Sequence, residues 1–197
     1  MLIYGSGGHG RVVLSAVNAT NQSVNTFFDD SSGGDKINGI SVIAYSPTVF
    51  TGEELLIAIG NNEIRKRLAG MIQHKFGNIV HPSVLMDPNS TWGVGNMILH
   101  GSIIQTGVVA GNHIIVNTGA IIDHDCRIGD FVHIAPGAVL CGGVEVGEGT
   151  MIGSGSRVVQ NISIGRNCLI CAGSVVTRNV PDHAVVRGSP AMVIRFK

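Results

Sequence analysis

From Val80 to Val176 every sixth residue is apolar, 17 in succession, beginning Val80, Met86, Trp92, Ile98, Ile104 and ending Ile164, Ile170, Val176. In a chain that is 44% hydrophobic, a preset frame meets such a run by chance on the order of once in a million, so the segment is a repeat. A second period lies over the first: Gly93, Gly111, Gly129, Gly147 and Gly165 recur at every third hexad, each directly after a beat residue. A structure with only the hexad period would not single out one hexad in three, whereas a coil of three hexads stacks those glycines at one corner. Glycine suits a corner that needs unusual backbone angles or close backbone approach. The expectation is a parallel β-helix of triangular section with the beat residues pointing inward. The fifth residue of each hexad is mostly small or β-branched, as at Ser102, Ala120, Cys126, Ala138, Thr150 and Ser156. At a strand spacing near ~4.8 Å the prism is roughly 27 Å tall.

Composition narrows the partners. Formal net charge is zero and 13% of residues are charged, so neither nucleic acid nor an anionic membrane is an expected partner. Two tyrosines and one tryptophan leave little for base stacking. No apolar run approaches the ~20 residues that span a bilayer, so no membrane insertion is expected. The chain opens directly into the strand-like Leu2-Ile3-Tyr4, without a signal peptide. Cys126, Cys141, Cys168 and Cys171 are scattered along the repeat, which suits free thiols in a reducing cytoplasm. Cys168 and Cys171 have metal-site spacing, but Cys168 occupies a fifth-position core slot and no second pair exists. No metal is expected.

The segment before the repeat, 1–76, has another rhythm. Leu2-Ile3-Tyr4 reads as a buried strand, followed by Gly5-Ser6-Gly7-Gly8-His9-Gly10 and then a helix through Arg11–Val17. A second strand ends at Phe27-Phe28-Asp29-Asp30, and a third, Leu55–Ile59, meets Gly60-Asn61-Asn62. Ile64, Leu68 and Ile72 then repeat at helical spacing. Alternating strand and helix imply a small parallel α/β unit. Its Gly5/Gly7/Gly10 pattern matches the dinucleotide fingerprint, in which a glycine-rich turn entering a helix offers backbone N–H groups to phosphate. Asp29 and Asp30 fall where such folds meet ribose hydroxyls. The alternative is a tight turn that needs glycine and binds nothing. The unit is only half of a doubly wound domain, enough for a mononucleotide, so a nucleotide-sugar fits better than NAD. His9 either touches a ligand phosphate or caps the turn. Asn61 and Asn62 either cap the following helix or face a ligand at the carboxyl end of a strand. The expected organisation is 1–76 for the α/β unit, 77–181 for the β-helix and 182–197 for a tail.

Counting positions around a coil of three hexads places each histidine on the prism: His81, His100, His113, His124 and His133 all differ, so no vertical ladder of metal ligands is expected. His124 is the third residue of its hexad, hence outward, with Asp123 and Asp125 on either side. One coil up its equivalent is Gly142, which leaves a groove beside the imidazole. It is either an exposed histidine at a polar corner or a general base, whose ring a carboxylate on one nitrogen would orient and make more basic at the other.

These residues resemble a family. Gly5–Gly10, Phe28-Asp29-Asp30, Ile57–Arg65, Asp123–His133 and the tail from Val180-Pro181 to Gly188-Ser189-Pro190-Ala191 are similar to the hexapeptide-repeat sugar acyltransferases of the sialic acid O-acetyltransferase type. They look most like the branch that N-acetylates UDP-4-amino-sugars toward bacillosamine-type glycans. The resemblance implies a left-handed β-helix, an exception to the right-handed crossover rule. It implies a cytoplasmic homotrimer with acetyl-CoA lying in the groove between neighbouring prisms. It makes His124 the general base and Asp125 the carboxylate that raises its basicity, where bacillosamine relatives often carry glutamate. His133, Gly142, Ser154 and Ala172 would meet acetyl-CoA. Gly7, Gly8, His9, Asp29, Asp30, Gly60 and Asn61 would meet the nucleotide-sugar. The expected reaction is acetyl transfer to the 4-amino group of a UDP-4-amino-4,6-dideoxy-N-acetyl-sugar, with the backbone of Gly142 and Gly143 near the oxyanion. The alternatives are O-acetylation of a sugar hydroxyl, as on sialic acid; a non-catalytic nucleotide-sugar sensor; and a zinc enzyme with ligands from two subunits.

Overall fold

The computed structural model describes residues 1–31 and 34–197. The amino-terminal unit begins with β1 (Leu2–Tyr4), α1 (Gly8–Ala19) and β2 (Thr26–Phe28). It continues through β3 (Lys36–Ile37), β4 (Ile40–Ile43), β5 (Leu55–Ile57) and α2 (Asn62–Ala69). The sheet order is β3-β4-β2-β1-β5, parallel except for β3, which pairs antiparallel with β4. The chain leaves β1 toward β2 on one side and returns as β5 on the other. The crevice where strand order reverses therefore opens at the carboxyl ends of β1 and β5, between Gly5-Ser6 and Ile59-Gly60.

Seventeen two-residue strands, β6 to β22, run from Ile79–Val80 to Val175–Val176. They form three walls of a prism. The first wall starts at Ile79–Val80, the second at Leu85–Met86 and the third at Thr91–Trp92. Every coil pairs with the next at a register of three hexads, as in Met97↔Ile115, Ile103↔Ile121 and Val109↔Arg127. The chain then closes on β23 (Ala184–Gly188) and β24 (Ala191–Phe196), which pair antiparallel. At β23 the register shortens, to Leu169↔Val185, because the segment after Val176 makes a coil two residues short. The hexapeptide β-helix and the α/β unit are thus the two parts that the sequence announces.

The beat residues from Ile98 to Val176 are all buried in one continuous core. Val80, Met86 and Trp92 are not, since they line the open lower end of the prism; Val80 is 38% exposed. Fifth-position hydroxyls bond across the coils: Thr150 Oγ1 donates to the Gly165 carbonyl (2.8 Å) and Ser156 Oγ to that of Cys171 (2.9 Å). Such a pairing meets the need of a buried polar group for a partner. The corner glycines owe their place to crowding. None of the five has a positive φ, and a Cβ on Gly147 would lie 2.7 Å from Arg166 N and Gly165 C.

The α/β unit sits on the outside of the first wall. Val13, Leu14 and Val17 of α1 share a buried cluster with Ile3, Phe27 and Leu56 of the sheet and with Ile79, Met97, Leu99 and Ile115 of the wall. The other face of the sheet, through Leu2, Tyr4, Phe28, Leu55 and Ile57, packs on Leu68 and Ile72. Of the helically spaced trio, Leu68 and Ile72 are buried but Ile64 is 39% exposed; Arg65 takes the inward place. No helix among the described residues is long and apolar enough to cross a membrane.

Gly147→Ala is expected to destabilise the protein by about 1–3 kcal/mol, because two coils of backbone must spread around the new methyl group. Gly70→Ala, where the nearest atom is 3.5 Å away and φ is −76°, is the control and should be near neutral. Thermal unfolding of the two variants against the unsubstituted protein makes the comparison.

Candidate active site

The corner between the second and third walls carries Asp123-His124-Asp125, between the strands Ile121–Ile122 and Arg127–Ile128. Asp125 is in the left-handed region (φ 59°) and its N–H donates to the Thr106 carbonyl one coil below (3.0 Å). That turn brings Asp125 Oδ2 to 2.9 Å from His124 Nδ1. Asp123 does a different job: its Oδ1 accepts from the backbone N–H of His124 (2.9 Å). With Nδ1–H donated to Asp125, Nε2 carries the free lone pair. The Asp125 hydrogen bond first, and the charge of Asp123 second, raise the imidazole pKa above its ordinary value. Two glycines make room. A Cβ on Gly142 would lie 2.5 Å from His124 Nε2, and one on Gly107 would lie 2.5 Å from Asp125 Oδ1. Gly143 is less available than expected, because its N–H already donates to the His124 carbonyl (2.9 Å) and so cannot serve an oxyanion. The His124 and Asp125 side chains are 58% and 72% exposed in the single chain. Along the third wall runs a groove of 830 Å³ lined by Val109, Arg127, Glu145, Ser163, Asp182 and the glycine column; neither His124 nor Asp125 lines it.

The second group of residues lies where the α/β unit meets the first wall. Gly5 has φ 109°, and a Cβ there would press on Ala58 O (2.9 Å); a Cβ on Gly10 would collide with the Gly5 carbonyl oxygen. Those two glycines serve the turn itself. Gly7 and Gly8 have no atom within 4 Å of a would-be Cβ, and Gly7, the N-cap of α1, supplies no side-chain cap. The first N–H groups of α1 thus lack a side-chain cap, the arrangement that suits an anion. His9 is largely buried at this mouth, its ring centroid 6.2 Å from that of His133, and among the described residues its Nε2 has no hydrogen-bond partner.

Asp29 ties the turn to the loop after β2. It accepts from Ser6 N (2.9 Å) and Oγ (2.5 Å) and from Ser31 N (3.0 Å) and Oγ (2.6 Å). Burial would raise its pKa, but these bonds hold it well below the usual carboxylate range. Asp30 accepts from the Tyr4 hydroxyl (2.6 Å) and from Tyr45 N (2.8 Å). Both carboxylates therefore have framework duties at the switch-point crevice. Asn61 caps α2 through Ile64 N (3.0 Å). Gly60 faces His133, whose Nδ1 lies 3.2 Å from the Gly60 carbonyl while Asn117 Nδ2 lies 3.1 Å from Nε2. That pairing fixes one neutral tautomer, with Nδ1–H donating and Nε2 accepting, and leaves His133 without a free ring nitrogen.

Sequence reasoning passed over Arg65 and Asn117 and read Asn62 as a helix cap or a ligand contact; Arg65 and Asn62 hold the two parts together, and Asn117 holds the His133 ring. Asn62 Nδ2 donates to the carbonyls of Gly149 (3.0 Å) and Thr150 (3.2 Å) on the β-helix. Nothing in their local spacing marks them, since the partners of Asn62 lie 87 and 88 residues away. His81 and His100, on adjacent coils, stack with centroids 3.8 Å apart. Among the described residues no group of three or more His, Cys, Asp or Glu side chains is placed to hold a metal ion.

In the single chain the two groups of candidate residues stand apart. His124 stands on the corner between the second and third walls. His133 lies on the first wall, and Ser154 and Ala172, both exposed, lie on the corner between the first and second walls. Among the described residues no hydrogen bond or ion pair of His124 reaches the α/β unit.

An anion-ready α/β crevice fused to a hexapeptide β-helix with an outward carboxylate–histidine pair defines the hexapeptide-repeat transferase class. The PglD N-terminal domain profile matches residues 1–72, and the bacterial transferase hexapeptide profile (six repeats) matches residues 143–178. PerB from Caulobacter crescentus, solved in complex with CoA and GDP-perosamine, is 33% identical, with 98% of this chain and 95% of that one covered and a TM-score of 0.93. The acetyltransferase domain of PglB from Neisseria gonorrhoeae, solved in complex with acetyl coenzyme A, is 34% identical over 98% of each chain, with a TM-score of 0.89. The UDP-N-acetylbacillosamine N-acetyltransferase of Bacillus subtilis is 36% identical over 107 residues, which span 49% of this chain and 50% of that relative. The chain belongs to the hexapeptide-repeat sugar acetyltransferase family, in the N-acetyltransferase branch with a PglD-type amino-terminal domain.

Two kinds of histidine should separate on titration. Burial, reinforced by the charge of Arg65, pulls His9 and His113 down to about 4; burial chiefly does the same to His133. For these three the unfolded chain binds protons more readily than the folded one. Their contribution to stability is complete above the ordinary value near 6.5 and is lost as pH falls toward 4. Ring-proton NMR should show His124 titrating above that ordinary value, and unfolding temperature should drop between pH 6.5 and 4 as the buried rings are forced to charge. Asp125→Asn should return His124 toward the ordinary value without moving the other three.

Proposed function

We propose that this chain transfers the acetyl group of acetyl-CoA to the 4-amino group of a UDP-linked 4-amino-4,6-dideoxy-N-acetyl-sugar, with His124 as general base. One observation carries the reading: His124 presents a free Nε2 beside a glycine slot while Asp125 holds Nδ1 at 2.9 Å. The neutral sugar amine attacks the thioester carbonyl. As the C–N bond forms, Nε2 takes the amine proton, Asp125 steadies the imidazolium, and the CoA thiolate leaves and is reprotonated. The products are an amide and CoA. No acyl-enzyme enters: burial pushes the Cys126 thiol up to about 11, and it sits inside the prism. Much of the rate comes from holding both substrates in one cleft.

The α/β crevice takes the nucleotide-sugar, with its diphosphate at Gly7, Gly8 and His9 and its approach bounded by Asp29, Asp30, Gly60 and Asn61. The related structures with CoA, GDP-perosamine and acetyl coenzyme A support a nucleotide-amino-sugar and a CoA thioester as the substrates. The bacillosamine relative supports UDP as the nucleotide. Because His124 and the crevice lie apart in one chain, the working site forms between protomers of a homotrimer. Acetyl-CoA then lies between neighbouring prisms, past Gly142, Ser154 and Ala172. His133, whose ring bonds the Gly60 carbonyl and Asn117, meets acetyl-CoA from the first wall in this reading. The four free cysteines suit work in the reducing cytoplasm.

His124→Ala should lower kcat by roughly 10²–10⁴-fold with the assembly intact. Gly142→Ala should impair turnover as well, by pushing the imidazole aside. CoA release is measured against a panel of UDP- and GDP-linked amino-sugars and their hydroxyl analogues. Wild-type turnover in His124→Ala removes it from the chemistry, and activity confined to hydroxyl acceptors makes the enzyme an O-acetyltransferase.

A further inference from the structure

Arg65 is the largest fully buried side chain among the described residues. Its Nε donates to the His113 carbonyl (2.8 Å) and its Nη1 to that of Ile59 (2.9 Å). Its Nη2 donates to Asn62 Oδ1 and the Phe131 carbonyl (2.8 Å each). Every acceptor is neutral. The ion pairs among the described residues join Met1 to Glu53, Lys66 to Glu148, His124 to Asp125 and Arg166 to Asp182, and none involves Arg65. Carbonyl dipoles satisfy the N–H groups of a guanidinium but leave its charge unbalanced, and a charge withdrawn from water is ordinarily paired. Burial alone brings its pKa down to about 9.

The unbalanced charge lies behind the proposed nucleotide crevice. Ile59, whose carbonyl Arg65 holds, immediately precedes Gly60. The charge is close enough to His9, in the first turn of α1, and to His133 to disfavour a proton on either. Two other contacts, at His113 and Phe131, are to the β-helix. The guanidinium thus connects the rim of the crevice, the neighbourhood of the uncapped α1 terminus and the prism.

We propose that Arg65 is a positioning residue for the substrate diphosphate: it pins the Ile59–Gly60 turn to the β-helix and supplies, from behind that turn, a positive charge whose counter-ion arrives with the ligand. This rests on the nucleotide-sugar reading above. It explains why the inward place on α2 holds a charged residue while Ile64 next to it is exposed. A side chain needed only to fill that place would be apolar, and one needed only for interdomain hydrogen bonds would not have to carry a charge.

The test measures calorimetric binding of UDP and of GDP, together with KM for the nucleotide-sugar and for acetyl-CoA. Arg65→Met should weaken diphosphate binding at least ten-fold and raise KM for the nucleotide-sugar in parallel, with KM for acetyl-CoA within two-fold. Arg65→Lys keeps the charge but loses the fork; it should bind the diphosphate at least three-fold more tightly than Arg65→Met while still lowering the unfolding temperature. A merely structural role would reduce the active fraction in both variants and leave both KM values unchanged, and that result overturns the proposal. If Arg65→Met does not fold, the pair Asn62→Asp and Asn62→Leu decides. Both lose the bonds to Gly149 and Thr150, but only the first places a carboxylate against the guanidinium. Diphosphate binding at least five-fold weaker in Asn62→Asp than in Asn62→Leu supports the assignment, and a smaller difference overturns it. An unsubstituted protein that binds neither nucleotide removes the nucleotide-sugar reading and this proposal with it. Normal binding there, unaltered by the substitutions, removes only the role of Arg65.

Discussion

Coil stacking at a fixed register of three hexads underlies everything else in this protein. It places each beat residue above its equivalent, so that one apolar column serves each inner wall and burial is shared by successive coils. Burying a large aliphatic side chain contributes about 1.5–3 kcal/mol, and the prism repeats that gain along its length. The same register sets the limits on sequence. Where coils approach most closely only glycine fits, which is why a column of glycines runs along the third-wall groove. The spacing holds until the segment after Val176, where a coil two residues short brings in the closing strands β23 and β24.

Regular stacking also provides the chemistry with a rigid mount. His124 projects from a corner whose backbone is held by the coils above and below, through Gly143 N and Asp125 N. The imidazole lies over one glycine and its carboxylate partner over another, so small residues displaced by one coil act as the walls of a slot. The positive φ at Asp125 is part of this device: it turns the carboxylate back onto the preceding ring. The Asp125 hydrogen bond, and then the charge of Asp123, make this histidine more easily protonated, whereas burial favours the neutral form of His9, His113 and His133. Five residues of one type thus acquire opposite proton affinities from where the fold places them: four buried or stacked ones, His9, His81, His113 and His133, are lowered, and His124 is raised.

Docking of the α/β unit on the first wall is a separate event with its own residues. The outward positions Ile79, Met97 and Ile115 are apolar and buried under the α/β unit, but Leu85, Ile103 and Ile121 on the second wall are apolar too, so apolarity alone does not mark which wall is covered. Nor does the sequence show which polar groups seal the joint. Asn62 reaches Gly149, Arg65 reaches His113 and Phe131, and His133 reaches Gly60, over separations of 48 to 87 residues. No local pattern encodes such pairs.

The one-dimensional pattern by itself determined the prism, its three hexads per coil, the outward direction of His124, and the glycine-rich turn that opens α1. Periodicity and turn chemistry are local, and a rigid repeat converts them directly into direction in space. Tertiary structure alone decided the rest: that Asp125 binds the ring while Asp123 binds the backbone, that the Gly143 amide is already committed, that Asp29 and Asp30 brace the crevice, and that Arg65 turns inward where Ile64 does not. Each of these depends on which hydrogen-bond donor reaches which acceptor once coils stack, strands pair and the two parts dock, and that geometry exists only after the chain has folded.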